Sequence, residues 1–413
     1  MVKRIFILLF IFVCTSIAWF ILGGVTTART NDQDMKLRTA VGQLWGTVQR
    51  QEAPYVFYQT KKDKRVTTVI GNETIVETKT EVTDHPVALE GSVIDVSIDL
   101  EHRRKGLLWY STYRVMFTGI YRIKNMTGVN REMFFMYTFP TIEGVYDNFS
   151  LSIDNDKVEE LKPQSGVIYQ GFTINPDQER EVQVSYASQG MDEWWYVFGG
   201  GVSHIRDFSL VMTTDFSKIN FPDNSISPTD KQEMANGWKL QWQYDDLISG
   251  IQIGMEMPQK VNPGPFVSRV TFFAPVSLFL FLFLMFIITT LSSAKVHPMN
   301  FFFICAAFFS FHLLLAYLAD HIDIHLALIV SSIVSIILVV SYMRLVTGIK
   351  FALLETGLSQ FVYLVLFSYT FFLTGYTGLA VTLLCIITLF IIMQLTGKID
   401  WEKQFAKDKQ SIS

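Results

Sequence analysis

Cysteine is scarce in this sequence. The 413 residues include three cysteines, Cys14, Cys305 and Cys385, and each lies inside an apolar stretch. The polar part of the chain therefore cannot carry a disulfide framework or a cysteine-ligated metal site. We interpret all three as small buried hydrophobic side chains.

Charge is scarce as well. Only 17% of the residues are charged and 50% are hydrophobic, whereas a soluble domain carries about 25% charged residues. The charged residues crowd between positions 29 and 262 and are few after that. The formal net charge of −4 gives no reason to expect nucleic-acid binding.

The short motifs of common catalytic and nucleotide-binding sites are also missing. The sequence has no His-Glu-x-x-His, Gly-x-Ser-x-Gly, Walker or Gly-x-Gly-x-x-Gly pattern. Gly199, Gly200 and Gly201 follow an aromatic run at 194–198, which belongs either to a core or to a membrane-facing edge. Without a helix signal after them, they are more typical of a strand-end turn than of a phosphate-binding loop. We expect no enzymatic activity, no catalytic residue and no cofactor.

Long apolar runs, by contrast, dominate the last third and the N-terminus. A helix of roughly 20 apolar residues crosses the hydrocarbon layer, and a spanning segment must satisfy its own backbone hydrogen bonds. Buried helices of a soluble protein are disfavoured, because so many apolar runs leave no polar faces for water. The sequence therefore predicts six transmembrane helices, at Ile5–Leu22, Val270–Leu291, Phe301–Leu318, Leu326–Tyr342, Leu353–Leu373 and Leu379–Leu395.

The first apolar run follows Lys3 and Arg4 and allows two interpretations. Residues 26–28, Thr-Thr-Ala, are compatible with cleavage of a signal peptide. The run is, however, longer than the roughly 7–15 residues of a signal-peptide core, which favours an uncleaved anchor. In both cases the residues that follow are exported.

The distribution of Lys and Arg predicts the orientation. With a cytoplasmic N-terminus and six spans, the cytoplasmic segments hold all the basic residues of the short loops and tails, whereas the external loops 319–325 and 374–378 hold none. By the positive-inside rule, both termini are cytoplasmic and the large polar region is periplasmic. The basic residues concerned are Lys3, Arg4, Lys295, Arg344, Lys350, Lys398, Lys403, Lys407 and Lys409.

The exported region begins with a helical pattern and continues with a period of two. Residues 32–46 place apolar side chains at helical spacing, which predicts a short juxtamembrane helix. From Pro54 to about Met257, apolar and polar residues alternate in short segments separated by turn-forming residues, which predicts antiparallel sheets packed as a sandwich. The alternation is clearest at 94–100, 115–123, 182–186, 240–244 and 251–255.

The predicted fold class is thus an α+β membrane protein with a large, sandwich-like, β-rich exported domain and six transmembrane helices. We interpret the basic cluster Lys61–Arg65 as a hairpin tip. Pro258–Pro265 carries three prolines and predicts an irregular linker. The expected organisation is an anchor at 1–28, the β-rich domain at 29–262, a five-helix block at 263–398 and a cytoplasmic tail at 399–413.

Six residues near or within the membrane are candidates for function. Two carboxylates and two imidazoles between the third and fourth segments could hold a divalent metal or form a proton-sensitive pair. We favour a hydrated turn and predict no metal site, although Asp320, His321, Asp323 and His325 remain weak candidates. His312 and Glu355 are ionisable residues in apolar segments, which mark functional sites by default. For His312 a hydrogen bond to a neighbouring helix is favoured over a proton relay, and Glu355 reaches the cytoplasmic interface.

Several motifs resemble those of the bacterial inner-membrane proteins called CreD. In the C-terminal third they are Val296-His297-Pro298-Met299, Leu313-Leu314-Leu315 before Ala319-Asp320-His321, Tyr342-Met343-Arg344, and residues 395–401, Leu-Thr-Gly-Lys-Ile-Asp-Trp. In the exported region they are Trp45-Gly46-x-x-Gln49 and Arg103-Arg104-x-Gly106 with Tyr113 and Gly119. The resemblance implies an inner-membrane protein whose loss perturbs the cell envelope, often tied to a two-component or β-lactam response. It implies no reaction.

Three functions follow as hypotheses. The first is support of cell envelope integrity through protein or lipid contacts of the exported domain. The second is a sensor or signalling partner in an envelope-stress or antibiotic response. The third is a small-solute or proton-coupled transporter that uses His312 or the 320–325 cluster. Membrane lipids are the expected partners, with other envelope proteins or a two-component system as further candidates and no nucleic acid. The oligomeric state is not predicted.

Overall fold

The computed structural model describes residues 2–70, 73–106, 108–292, 296–373 and 375–397. The chain forms two compact units. Met1–Lys36 and Val261–Ser413 make up the first, which we call the helical unit, and Leu37–Lys260 make up the second, which we call the β unit. The expected cytoplasmic tail at 399–413 and the end of the 395–401 motif lie outside the described residues.

The first helix, α1, runs from Val2 to Trp45 without interruption. The sequence predicted two helices here, at 5–22 and within 32–46, and this division was wrong. No proline lies between them, and the hydroxyls of Thr26 and Thr27 donate to the carbonyls of Leu22 and Gly23 one turn earlier, at 2.8 and 2.9 Å. A threonine that returns its hydroxyl to the preceding turn is compatible with helix, so the pattern continues through the polar stretch.

Five further apolar helices complete the helical unit and confirm the predicted number of spans. Together with α1, each is long and apolar enough to cross a membrane. They are α2 (Pro263–Leu291), α3 (Pro298–Leu318), α4 (Ile324–Thr347), α5 (Ile349–Phe372) and α6 (Thr377–Thr396).

Helix α2 begins inside the segment that the sequence predicted to be a linker. Asn262 is its N-cap residue, with extended backbone angles, and Pro263 and Pro265 lie in its first turn. The first N–H groups of a helix have no acceptor within the helix, so proline costs little there. The prolines therefore start this helix rather than exclude it.

Helix α5 differs from the others because it alternates between two kinds of turn. Residues Ala352–Gly357 and Phe361–Leu366 are π-helical, and short α-helical stretches flank them. Each π turn holds one more residue than an α turn and shifts the register of the side chains. No local pattern in the sequence predicted these turns.

The β unit contains fifteen strands among its described residues. They are β1 (Gln49–Glu52), β2 (Tyr55–Ile70), β3 (Glu73–Val87), β4 (Leu89–Lys105), β5 (Leu108–Lys124), β6 (Arg131–Thr138), β7 (Tyr146–Ile153), β8 (Asp156–Lys157), β9 (Val167–Ile174), β10 (Glu179–Met191), β11 (Glu193–Val197), β12 (Ser203–Thr214), β13 (Asp230–Met234), β14 (Gly237–Ser249) and β15 (Ile253–Glu256).

These strands form three sheets. The largest has the order β13-β14-β12-β4-β5-β10-β7-β8, and the others are β3-β2-β6-β9 and β1-β11-β15. Most neighbours are antiparallel, as predicted, but β4 with β12 and β1 with β11 are parallel. Gly199–Gly201 lie between β11 and β12, in agreement with the predicted turn.

All three sheets contribute to one hydrophobic core. The ring of Tyr121 in the eight-stranded sheet lies 6.0 Å from that of Phe135 in the four-stranded sheet. The ring of Tyr196 in the three-stranded sheet lies 5.6 Å from that of Phe208 in the large sheet. The two small sheets thus cover the large one, which is the arrangement of a sandwich. The aromatic run at 194–198 contributes Trp194 and Tyr196 to this core.

Two local predictions need correction. Lys61–Arg65 is not a hairpin tip but lies within β2, where Lys61 pairs with Val82 and Arg65 with Thr78 of β3. The following residues, 66–70, are mostly β-branched and extend the strand. Of the three cysteines, Cys305 is buried and Cys385 partly so, but Cys14 is exposed on α1. A lipid-facing position accepts such a small side chain equally well.

Candidate functional site

The turn between α3 and α4 holds the four residues that the sequence singled out as weak metal candidates. Asp323 caps α4, because its Oδ1 accepts hydrogen bonds from the backbone N–H groups of His325 and Leu326 at 2.9 and 3.4 Å. The Nδ1 atom of His321 lies 2.9 Å from the Tyr317 carbonyl oxygen on its own helix. Each of these side chains is therefore occupied in shaping the turn.

The remaining two candidates are occupied by other helices. The His325 ring stacks on that of Phe372 in α5, with centroids 4.4 Å apart, and Asp320 pairs with Arg29 of α1. Within the ranges that the structure describes, no group of three or more His, Cys, Asp or Glu side chains is arranged to hold a metal ion.

The pair formed by Arg29 and Asp320 links α1 to the α3–α4 turn. The Arg29 Nη2 atom lies 2.6 Å from Asp320 Oδ2 and also donates to the Ala316 carbonyl at 3.2 Å. The guanidinium faces the Tyr317 ring at 5.9 Å. Both side chains are partly accessible, 36% and 22%, so the attraction is only partly screened. The sequence analysis had assigned no partner to Arg29.

Helix α1 is held at three further points along the helical unit. Arg4 donates from Nη2 to Thr289 Oγ1 at 2.9 Å near one end, and the hydroxyls of Thr27 and Ser268 are 2.5 Å apart near the other. Between them, the fully buried Trp19 packs edge-on against rings of α3. These contacts make α1 a packed member of the helical unit rather than a peripheral tether.

His312 lies in the interior of the helical unit, among aromatic rings. Its ring centroid is 5.5 Å from that of Trp19, 4.8 Å from Phe311 and 6.1 Å from Phe308. Its Nδ1 atom lies 3.3 Å from the Phe308 carbonyl oxygen, one turn earlier on the same helix. The expected hydrogen bond to a neighbouring helix is therefore replaced by a bond within α3 and a ring contact to α1.

Glu355 lies on the first π-helical segment of α5 with an exposed side chain. The described contacts give Glu355 and His312 no common partner. The described contacts therefore do not link these two ionisable residues.

Sequence reasoning missed a cluster of buried polar side chains between α4 and α5. Gln360 donates from Nε2 to Ser335 Oγ at 2.8 Å, and Ser335 in turn donates to the Ala307 carbonyl of α3 at 2.6 Å. Ser331 and Thr356 are equally buried. We call Ser331, Ser335, Thr356 and Gln360 the Ser335–Gln360 cluster. It joins three helices by hydrogen bonds, which hold helices together in lipid.

This cluster retains unused hydrogen-bonding capacity. Gln360 Oε1, Ser331 Oγ and Thr356 Oγ1 are buried and have no hydrogen-bond partner among the described residues. Thr356 lies in the first π segment, and Gln360 lies between the two. A detectable signal existed, since Ser331 with Ser335 and Thr356 with Gln360 are polar pairs at helical spacing inside apolar runs.

The interior of the β unit contains a second polar network that the sequence analysis missed. Gln51 Oε1 accepts from the hydroxyls of Tyr137 and Tyr186 at 2.7 and 2.9 Å. Gln49, whose position belongs to the Trp45-Gly46-x-x-Gln49 motif, donates from Nε2 to Ser188 Oγ at 2.7 Å. Both glutamines are fully buried on β1. They tie the small β1 sheet to its neighbours across the core.

Burial fixes the protonation state of this network. It raises the pKa of Tyr137 and Tyr186 well above the ordinary value of a phenol, because the phenolate would lose its hydration. Neighbouring tyrosines add to the effect. The hydroxyls therefore stay protonated and donate to Gln51. This chemistry stabilises the core and offers no nucleophile.

The chain matches a known protein family over nearly its whole length. A profile of the family described as inner membrane protein CreD matches residues 1–402. No curated protein matches the sequence. Among solved structures, a proposed nutrient-binding protein from Legionella pneumophila subsp. pneumophila is similar at 11% identity and a TM-score of 0.34, over 57% of this chain and 76% of that one. This likeness is too distant to bear on what the chain binds.

Proposed function

Because the chain belongs to the CreD family of inner membrane proteins, we propose that it supports the integrity of the cell envelope without catalysing a reaction. In this proposal the helical unit is the anchor, and the β unit makes the functional contacts, with membrane lipids or other envelope proteins. Both termini are cytoplasmic and the β unit is periplasmic, a placement supported by the one-sided distribution of Lys and Arg.

We further propose that the first segment is retained in the mature protein. Support comes from the buried Trp19 and from the hydrogen bonds of Arg4 with Thr289 and of Thr27 with Ser268, which give residues 1–28 partners along the helical unit. Cleavage after residue 28 would leave those partners exposed to lipid or water.

One observation carries the scaffold proposal. The polar side chains that a transport path would need are engaged in packing: Asp320 pairs with Arg29, Asp323 caps α4, and His312 is enclosed by aromatic rings. Polar contacts of this kind hold transmembrane helices together. The arrangement therefore favours an anchor over a small-solute or proton-coupled transporter.

Complementation tests the proposal. A strain without the protein should grow poorly under detergent or β-lactam stress, and both the wild-type chain and a His312→Ala, Asp320→Ala double variant should restore growth. A His204→Ala, Asp246→Ala double variant is the matched control, because this exposed pair lies 2.7 Å apart on the β unit. If the first double variant fails at normal membrane abundance while the control succeeds, transport replaces the scaffold as the better explanation.

A sensor is the second candidate, and the Ser335–Gln360 cluster favours it. Buried polar atoms without partners, next to π turns, allow the hydrogen bonds of α4 and α5 to rearrange at low cost. Such a rearrangement could pass a signal from the β unit to a partner protein. Altered amide hydrogen exchange in α5 on adding a cell-wall fragment to the full chain would move this candidate ahead of the scaffold.

A further inference from the structure

A cleft opens in the β unit between its four-stranded and eight-stranded sheets. It contains a cavity of about 260 Å³, which we call the Lys124 pocket. Strands β2 and β6 contribute Tyr58 and Met133 to one wall. Strands β4, β5 and β12 contribute Glu90, Lys124 and Arg206 to the other. The pocket therefore places charged side chains next to the core of the sandwich, to which Met133 belongs.

Arg131, the first residue of β6, adjoins the Lys124 pocket. It is in phase with the buried Met133 and Phe135, so it lies on the core-facing side of the strand. Its guanidinium carbon is 5.0 Å from the centroid of the Tyr58 ring, and the His85 ring stacks on the same tyrosine at 4.9 Å. Tyr58 lines the pocket and therefore positions the guanidinium beside it.

The positive charges of Lys124 and Arg131 have no carboxylate partner among the described residues, and both side chains are partly accessible. Glu179 lies opposite Lys124 on β10, but its Oε1 atom is 3.8 Å from Nε of Arg122 instead. The Arg131 Nε atom is buried and, within the described part of the chain, has no hydrogen-bond acceptor. The β unit thus leaves two cations available to a ligand at this cleft.

The third cation of the site offsets the carboxylate that lines the pocket. Arg206 Nη1 lies 3.4 Å from Glu90 Oε1. The charged groups that line or adjoin the pocket therefore leave an excess of positive charge, which attracts anions. A planar guanidinium can hold two oxygens of a carboxylate or phosphate at once, and a lysine ammonium adds a compact charge with three donors.

The loop between β5 and β6 is already ordered at the pocket. The fully buried Asn125 donates from Nδ2 to the carbonyls of Val129 and Ile174 at 2.8 and 2.7 Å. Its Oδ1 atom accepts from the Thr127 N–H at 2.9 Å. Thr127 lines the pocket, and Lys124 directly precedes Asn125. The backbone around the lysine therefore needs little ordering when a ligand binds, which lowers the cost of binding.

A second cavity of about 150 Å³ continues the cleft. The two cavities share Val87, Ala88 and Arg206, and aromatic side chains such as Tyr55 and Phe198 line the second one. Together they fall within the range of roughly 300–1,000 Å³ that is typical of sites for small molecules. Cations next to an aromatic recess fit an anion that also carries an organic part.

We propose that this cleft binds a small organic anion. Lys124 and Arg131 hold the carboxylate or phosphate group of the ligand, and its organic part lies in the second cavity. The site is contained within the β unit, so the inference goes beyond the scaffold role and does not depend on it. It also supplies the class of ligand that the sensor candidate requires.

Three probes of similar shape test the site on the full-length chain in phosphatidylcholine nanodiscs. Benzoate carries a carboxylate, phenyl phosphate carries a phosphate ester, and benzamide is neutral. In isothermal titration calorimetry, at least one of the two anions should bind about tenfold more tightly than benzamide, because a hydrogen bond to a charged group contributes about that factor to affinity. The order of the two anions identifies the group that the site prefers.

Two sets of substitutions locate the binding. The Lys124→Gln, Arg131→Gln double variant should bind the preferred anion at least about tenfold more weakly than the wild type and bind benzamide unchanged. The matched control is Lys157→Gln, Lys239→Gln, which removes two exposed charges from β8 and β14 of the same unit. It should bind the anion like the wild type.

Urea titration checks that the variants fold. If the double variant unfolds below the wild-type midpoint, Lys124→Gln alone replaces it and should weaken anion binding about tenfold. Equal affinity of the wild type for the anions and for benzamide would overturn the site. Wild-type affinity for the anion in a folded variant would do the same. The scaffold role would stand in both cases, because complementation measures it independently.

Discussion

Both units of this protein bury apolar side chains, but they differ in the side chains that they leave exposed. In the β unit, β4 buries Ile94, Val96 and Ile98 and exposes the polar residues between them. In the helical unit, α4 buries Ser331 and Ser335. Leu328 and Val339 of α4 are also buried, but other large apolar residues of this helix, Ile329, Ile333 and Ile337, are exposed.

The difference follows from the solvent of each unit. Water drives apolar side chains into the β unit core at about 25 cal/mol per Å² of buried area. Lipid tails are as apolar as leucine, so burying an isoleucine between helices gains little, and close packing and hydrogen bonds decide which faces meet. The same residue type therefore contributes a different amount to the stability of each unit, and matched substitutions measure that difference.

The largest expected contrast comes from removing a phenylalanine ring. Phe135 is fully buried in the β unit, whereas Phe390 is 61% exposed on α6. Phe135→Ala should lower the free energy of unfolding of the β unit by about 3–5 kcal/mol, and Phe390→Ala should change that of the helical unit by less than about 0.5 kcal/mol. Urea titration followed by tryptophan fluorescence reports the first, and titration with sodium dodecyl sulfate reports the second. Equal losses would contradict the comparison.

A smaller contrast is expected for a buried glutamine. Gln51→Leu leaves the hydroxyls of Tyr137 and Tyr186 without their acceptor, at a cost of at least about 2 kcal/mol, since each unsatisfied buried group costs about 1–3 kcal/mol. Gln360→Leu removes one hydrogen bond in lipid, where such bonds are worth about 0.6 kcal/mol on average.

A rescue separates the polar effect at Gln51 from a change in packing. Adding Tyr137→Phe and Tyr186→Phe to the Gln51→Leu variant should restore most of the lost stability in the same urea titration, because no donor is then left unpaired. If the triple variant is as unstable as the single one, side-chain shape rather than hydrogen bonding explains the loss.

The smallest effect concerns the ion pair that holds α1. Arg29→Ala should lower the stability of the helical unit by roughly 0.5–1 kcal/mol, because both charged groups are partly screened. The exchange Arg29→Asp with Asp320→Arg should recover part of that loss in the detergent titration. Lys36→Ala is the matched control, since its pairing with Asp32 on the same helix is 3.6 Å long and largely exposed. Arg29→Asp and Asp320→Arg are also measured separately. If their effects on stability sum to that of the double exchange, the pair is not coupled.

The elements that were predicted correctly are those with a long and regular local pattern. Six apolar runs predicted six spanning helices, and alternation at 94–100 and 182–186 predicted β4 and β10. The errors lie where the local signal depends on position within an element. Pro263 would interrupt the interior of a helix, but it is well tolerated at its actual position in the first turn of α2. The basic residues 61–65 read as a turn until the β-branched residues after them extend β2.

The sequence identified candidate functional residues by their chemistry, but it did not predict which partners their side chains contact. Two carboxylates and two imidazoles between α3 and α4 suggested a possible cluster. In the structure their side chains contact different partners: Asp323 caps α4, Asp320 pairs with Arg29, and His325 stacks on Phe372. Gln51 of β1, unlike Gln49, belongs to no motif and carried no local signal. Its partners are tyrosines 86 and 135 positions away, and such distant contacts leave no pattern in the neighbouring residues.

The sequence by itself determined where the chain meets lipid and where it meets water, because those choices depend on apolar content and on the period of a few neighbouring residues. Only the tertiary structure decided which polar groups are buried together. Gln51 with its two tyrosines, Gln360 with Ser335, and Arg29 with Asp320 are brought together by packing between distant segments. A hydrogen bond or ion pair needs two partners at defined distance and direction, and only the folded chain supplies both.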